Sequence, residues 1–194
     1  MGFYNATAPT APNSGAIMQD QCDSTGSVYC NNEGRKGSFR ATATGIAVSA
    51  NGAMFSLQGS ATKTIRVSRV YFNGVLTTGA QVQVTVSRTT AAVTGASGTA
   101  AITPAKLDSG NSAATGAANS YTASTLGTGA VTLAQARAFI APASALSTGV
   151  EILFGGRNTQ SAVIRGAAEF LQISVSTGAY TGAAFDIDVE FTEE

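Results

Sequence analysis

The side chains best placed to do chemistry are Asp186, Asp188 and Glu190, in the run Phe185-Asp186-Ile187-Asp188-Val189-Glu190-Phe191. Their i, i+2, i+4 spacing puts all three carboxylates on one face of a β-strand, with Phe185, Ile187, Val189 and Phe191 on the other. Two carboxylates on one face can serve acid–base work, as in glycosidases. A row of them can also offer weak oxygen ligands to Ca²⁺. Strand alternation alone produces the same spacing, however, so a solvated acidic face is the reading with the fewest assumptions. The rest of the chain adds nothing catalytic. There is no histidine, which removes the commonest general base and metal ligand and every Ser-His-Asp or Cys-His arrangement. The two cysteines, Cys22 and Cys30, are too few for a zinc site or a disulfide framework. They are close enough for a local bridge, and in a reducing compartment they stay thiols. Gly-rich stretches such as Thr94-Gly95-Ala96-Ser97-Gly98 lack the order of a phosphate loop, and Gly155-Gly156-Arg157-Asn158 reads as a turn. No catalytic, cofactor-binding or metal-binding residue is assigned, and the chain is expected to be non-enzymatic.

Composition points the same way. Only 11% of the 194 residues are charged, against roughly 25% in ordinary globular domains. Small residues dominate instead, which suits a surface covered by copies of itself or by partners. No run approaches the ~18 apolar residues of a membrane-spanning helix. The start Met-Gly-Phe-Tyr-Asn-Ala has neither the basic nor the apolar region of a signal peptide. Ala6 and Thr7 also do not match a myristoylation signal. The net charge is zero but lopsided. Arg35, Lys36, Arg40, Lys63, Arg66, Arg69 and Arg88 follow one another with no acid between them, whereas acids outnumber bases from Gly98 onward. Such asymmetry can guide a protein to an acidic surface; the competing reading is a solvated, near-neutral exterior. The small cluster of Lys63, Arg66 and Arg69, with a pI of 6.2, does not make a nucleic-acid stripe.

The elements that position these residues read as strands. Residues 1–37 form an irregular arm, broken by Ala-Pro-Thr-Ala-Pro-Asn-Ser-Gly and by turn sequences; residues 38–194 form the folded domain. Candidate strands are 39–48, 53–57, 65–72, 82–86, 150–154, 162–164, 170–175 and 184–192. Alternation changes phase between Ile65/Val67 and Val70/Phe72, predicting a bulge near Ser68-Arg69, and Asn73-Gly74 predicts a tight turn. Val82, Val84 and Val86 mark a central strand. The segment 132–140 is open between helix and strand. Two low-complexity stretches, 89–101 and 109–128, read as long loops; with no fixed period they do not form a solenoid. The fold class expected is all-β: an antiparallel β-sandwich, jelly-roll-like, with long Gly/Ala/Ser/Thr-rich loops and an irregular N-terminal arm.

Four segments together resemble a family of virion structural proteins of tailed bacteriophages, of the capsid decoration (cement) or head-fibre type. They are Gly79 to Thr90, which ends Val-Ser-Arg-Thr-Thr; Ile102-Thr103-Pro104-Ala105-Lys106-Leu107-Asp108-Ser109; Ala162-Val163-Ile164-Arg165-Gly166; and Phe185 to Glu194, which closes in Thr-Glu-Glu. Family members often carry Trp where this chain has Phe191. The likeness covers roughly residues 60–194 and contains no chemical signature. It implies a virion protein made in the host cytoplasm and placed on the capsid exterior. The partners implied are the major capsid protein and itself, as a homotrimer matched to a local threefold axis, with no nucleic acid and no membrane. The rival reading is a tail or fibre component that binds a receptor or carbohydrate. Against that stand the lack of Trp and the scattering of Tyr4, Tyr29, Tyr71, Tyr121 and Tyr180.

Overall fold

The computed structural model describes residues 36–49, 51–145, 147–155, 160–176 and 180–194. The expected arm, but for its last two residues, Cys22 and Cys30, and the Gly156-Arg157-Asn158 part of the expected turn lie outside the described residues. Lys36–Glu194 is a compact unit. Its strands are β1 (Gly37–Ile46), β2 (Gly52–Gln58), β3 (Thr64–Val75), β4 (Ala80–Thr89), β5 (Thr94–Ser97), β6 (Ala100–Ile102), β7 (Ala105–Lys106), β8 (Ala118–Ser120), β9 (Ala123–Thr125), β10 (Val131–Ile140), β11 (Val150–Leu153), β12 (Ala162–Arg165), β13 (Phe170–Ser176) and β14 (Ala184–Glu193).

Two six-stranded sheets carry the fold. The first runs β11-β3-β14-β1-β7, with β12 also paired to β3; the second runs β10-β4-β13-β2-β8-β6, and β5-β9 forms a separate ribbon. Every ladder between these strands is antiparallel. The expected all-β sandwich is therefore present. Successive long strands alternate between the sheets: β1 and β3 lie in the first, β2 and β4 in the second. The last two strands, β13 and β14, each insert between two earlier ones.

The core follows from alternation. Phe39 and Ala41 of β1, Val70 and Phe72 of β3, and Phe185, Ile187, Val189 and Phe191 of β14 are buried in one cluster with Phe55, Leu57, Val82, Val84, Val86, Leu171, Ile173 and Val175 of the second sheet. Phe39 stacks on Phe191 with ring centroids 5.5 Å apart, and Phe72 meets Phe185 at 5.2 Å. The phase change in β3 is a bulge, as expected. Glu190 pairs with Arg69 and Phe191 with Val67, so Ser68 has no opposite residue. Ser68 Oγ donates instead to the Glu190 carbonyl, at 3.2 Å. The extra residue lets Ile65 and Val67 face the core on one side of it and Val70 and Phe72 on the other.

Two expectations are corrected and one open reading is decided. Asn73-Gly74 is not a tight turn: it continues β3, opposite Asp186 and Phe185. A hairpin turn needs its flanking strands to pair, whereas β3 and β4 lie in different sheets. Gly74 has a different use, since a Cβ there would press on the Ala184 carbonyl and the Phe185 ring. The ambiguous segment 132–140 is β10, paired along its length with β4, with a register shift at Leu133. The stretches 89–101 and 109–128 are not plain loops: they contain β5, β6, β8 and β9.

Part of the same chain folds over the outer face of the second sheet. Tyr121 OH lies 2.8 Å from Ser56 Oγ, and Ser124 Oγ donates to the Ala53 carbonyl at 2.6 Å. Gln172 is buried on that face: its Oε1 accepts from Gly127 N at 2.9 Å and its Nε2 donates to the Ala91 carbonyl at 3.0 Å. Small side chains make this approach possible; at Gly127 a Cβ would overlap the Ala91 carbonyl. As a result, Ala53 and Ser56 of β2, and Gln172 and Ser174 of β13, are buried although they point away from the main core.

Candidate functional site

β14 lies between β1 and β3, and the pairing register decides what its acidic face meets. Glu190 falls opposite Arg40 on one side and Arg69 on the other; Asp188 is one step along, opposite Thr42 and Tyr71. Arg40 grips Asp188 in a fork, with Nε donating to Oδ1 at 2.9 Å and Nη2 lying 2.7 Å from Oδ2; the same Nη2 is 3.4 Å from Glu190 Oε1. Arg69 Nη2 donates to Glu190 Oε1 at 2.9 Å, and its Nη1 donates to Glu151 Oε1 of β11 at 3.1 Å. Asp186 Oδ1 accepts from the backbone N of Gly45 at 2.8 Å. The result is an ion-pair ladder across β1, β14, β3 and β11. The hydrogen bond that Arg69 donates to Glu151 raises its guanidinium above its ordinary pKa; burial opposes this, and the charges of Glu190, Asp188 and Glu151 reinforce it.

The acidic row is thus not an open acidic face. Arg40 forks Asp188, Arg40 and Arg69 converge on Oε1 of Glu190, and Asp186 is held by a backbone amide, so each carboxylate of the row already has a partner inside the sheet. Among the described residues no group of three His, Cys, Asp or Glu side chains could hold a metal ion.

A second cluster closes the end of β14. Glu194 is held between Lys36, at 2.7 Å, and Arg66. Hydrogen bonds from Lys36 and then Arg66 hold its carboxyl below the ordinary carboxylate range, against a smaller opposing effect of burial. Glu193 points the other way. It continues the inward phase of Phe185, Ile187, Val189 and Phe191, and its side chain has no exposed surface. Its carboxylate accepts from Thr115 N at 2.8 Å, Thr115 Oγ1 at 2.9 Å and Gly116 N at 2.8 Å, and lies 3.3 Å from Lys63 Nζ. Sequence reasoning missed Glu193; the signal was its place in the apolar phase.

These pairs revise the reading of the charge asymmetry. Lys36, Arg40, Lys63, Arg66 and Arg69, five of the seven basic residues that follow one another with no acid between them, all pair with acids of the C-terminal run Asp186–Glu194. The lopsidedness along the chain is closed in space by antiparallel pairing, and little of that segment is left to meet an acidic partner. Among the described residues of that segment Arg88 is the exception. With Arg66 and Arg165 it lines a cleft of about 530 Å³, whose other walls include Leu133, Phe154, Gln160 and Ser161.

No family model matches the chain, and neither curated proteins nor solved structures give a significant match.

Proposed function

We propose that this chain is a non-enzymatic structural protein of a tailed-bacteriophage virion: a capsid decoration (cement) protein that binds the outside of the head as a homotrimer, contacts the major capsid protein and stabilises the shell. The observation that carries the reading is where the family-like segments fall. Gly79–Thr90 contains β4, Ile102–Ser109 contains β7, Ala162–Gly166 contains β12 and Phe185–Glu194 spans nearly all of β14. The segments that carry the resemblance thus belong to the framework of one sandwich rather than to scattered loops. The interleaved order, β1-β14-β3 with β11 and β12 against β2-β13-β4-β10, supports a jelly-roll-like wrapping.

Two further features support a packing role. Of the carboxylates best placed for chemistry, Asp188 is held in an arginine fork, Glu190 is paired with Arg69, and Asp186 is bonded to a backbone amide. Large apolar side chains are exposed at the sheet edges instead: Leu153 of β11 at 67%, Val131 and Phe139 of β10 at 52% and 50%, and Leu107 just after β7 at 54%. Edge strands with exposed apolar groups are natural contact surfaces for another subunit. Attachment to the head then rests on shape and apolar contact, and the paired basic segment adds little.

The test compares particles with and without this protein under heat and osmotic shock, with cryo-electron microscopy to place its density. Head density and lower stability without it are expected. Density confined to the tail would move the assignment to a tail or fibre component.

A further inference from the structure

We propose that the arginine-lined cleft where β10 and β4 meet β12 is a docking site for an acidic peptide segment of a partner protein, with a carboxylate held by Arg88 and Arg165. Among the described residues, the lining of this cleft includes three guanidinium groups, those of Arg66, Arg88 and Arg165, and no carboxylate. Arg66 is engaged by Glu194. Arg88 and Arg165 form no ion pair among the described residues. Glu169, the acid nearest Arg165 in sequence, accepts a hydrogen bond from Arg165's own backbone N at 2.7 Å rather than pairing with its guanidinium.

Arg88 is the more telling of the two. It continues the inward phase of Val82, Val84 and Val86 and is only half-exposed. Arg40, Arg66 and Arg69, also half-exposed on sheet strands, are each matched by carboxylates. A partly desolvated guanidinium without a partner is costly unless something external supplies the anion. Arg137 likewise forms no ion pair among the described residues, but it is exposed to solvent, where an unpaired charge costs little.

The walls argue for a peptide rather than a free ion. Leu133, Phe154, Ala162 and Val163 give the cleft apolar sides. Val131, which is exposed, is the direct cross-strand neighbour of Arg88, and exposed Leu153 adjoins Phe154. Guanidinium forks match carboxylates bidentately, so the complementary ligand is a carboxylate flanked by apolar side chains. A nucleic-acid strand would ask for a longer basic track with stacking platforms, which this cleft does not provide. The inference is independent of the virion reading, because it concerns the isolated protein and a peptide; its failure would leave the particle comparison untouched.

The test is a titration of the ¹⁵N-labelled full chain with the blocked hexapeptide Leu-Asp-Glu-Ala-Asp-Leu, following the Nε–Hε signals of Arg88 and Arg165. Parallel arms use the Leu-Asn-Gln-Ala-Asn-Leu peptide, acetate and inorganic phosphate. Saturable movement of both signals with the acidic peptide alone is expected, weakening about tenfold in Arg88→Gln. Arg165→Gln, at an exposed position, gives the same comparison if Arg88→Gln does not fold. Immobile arginine signals, equal binding of the amide peptide, or a response to acetate or phosphate at the same concentration as to the peptide would each overturn the proposal.

Discussion

Glu193 and Thr115 are joined by both the backbone N and the hydroxyl of Thr115, although they stand 78 residues apart in the chain. The contact fastens a low-complexity segment to the final strand. Glu193 is buried, and two backbone amides, those of Thr115 and Gly116, depend on it. Glu193→Ala is expected to cost about 2–4 kcal/mol, because it leaves buried donors unpaired. Lys63→Met should cost less, because the Thr115 and Gly116 donors still hold the carboxylate when its cation is gone. Chemical denaturation measures both. Hydrogen exchange at Thr115 and Gly116 should accelerate in Glu193→Ala and stay slow in Lys63→Met; equal losses in the two variants would contradict the role given to the carboxylate.

Val84 and Thr85 are adjacent on β4 and point to opposite faces. Val84 is fully buried in the sandwich core, whereas Thr85 is half-exposed beside Gln135 and Ser174. Val84→Asp should destabilise by several kcal/mol, because an unpaired carboxylate enters the core. Thr85→Asp should cost less than half as much. Thermal melts at low protein concentration, which keep any subunit contact out of the comparison, decide between them.

The contrast between these positions shows what could be read from the chain alone. β4 and β14 were legible because strict alternation of apolar and polar residues fixes both strand and face. β10 was not, because Ala134-Gln135-Ala136-Arg137-Ala138 suits a helix as well, and only its ladder with β4 decides the matter. Asn73-Gly74 misled because a turn signal presumes that its flanking strands pair with each other, and here β14 pairs straight through it. The acidic row was legible as a row. Its partners were not, because Arg40 and Arg69 lie more than a hundred residues away in sequence and become neighbours only through sheet order. The cleft was invisible for the same reason: Arg66, Arg88 and Arg165 belong to three different strands.

Asp188 is held in the Arg40 fork, so its removal is felt in stability rather than in metal affinity. Asp188→Asn is expected to cost about 1.5–3 kcal/mol, the range for a charge-assisted pair that is partly shielded from solvent. Arg40→Lys should not behave as the wild type, because an ammonium cannot reproduce the two parallel bonds. Millimolar CaCl₂ should shift the melting temperature no more than NaCl of equal ionic strength. A calcium-specific rise, lost in Asp188→Asn, would restore the ion-binding reading of the acidic row.

Glu194 gives the acid dependence a definite sign. Its ordinary pKa is 4.5, and the hydrogen bonds from Lys36 and Arg66 lower it in the folded protein. The folded state therefore holds the carboxylate form more firmly than the unfolded chain does. Its contribution is fully present above the unfolded value and is lost as the pH falls through the lower, folded value. The site lies at the surface and is screened, so the contribution is modest. At pH 7 and low salt, Glu194→Gln should melt about 1–3 °C below the wild type. The gap should close as the pH is lowered through the acidic range below 4.5, where the wild-type side chain also becomes neutral, and it should narrow at pH 7 in 1 M NaCl, where the Debye length falls to about 3 Å. Melting curves across this series check the sign directly: a gap that widened towards low pH would mean that the carboxylate is not stabilised by its two cations.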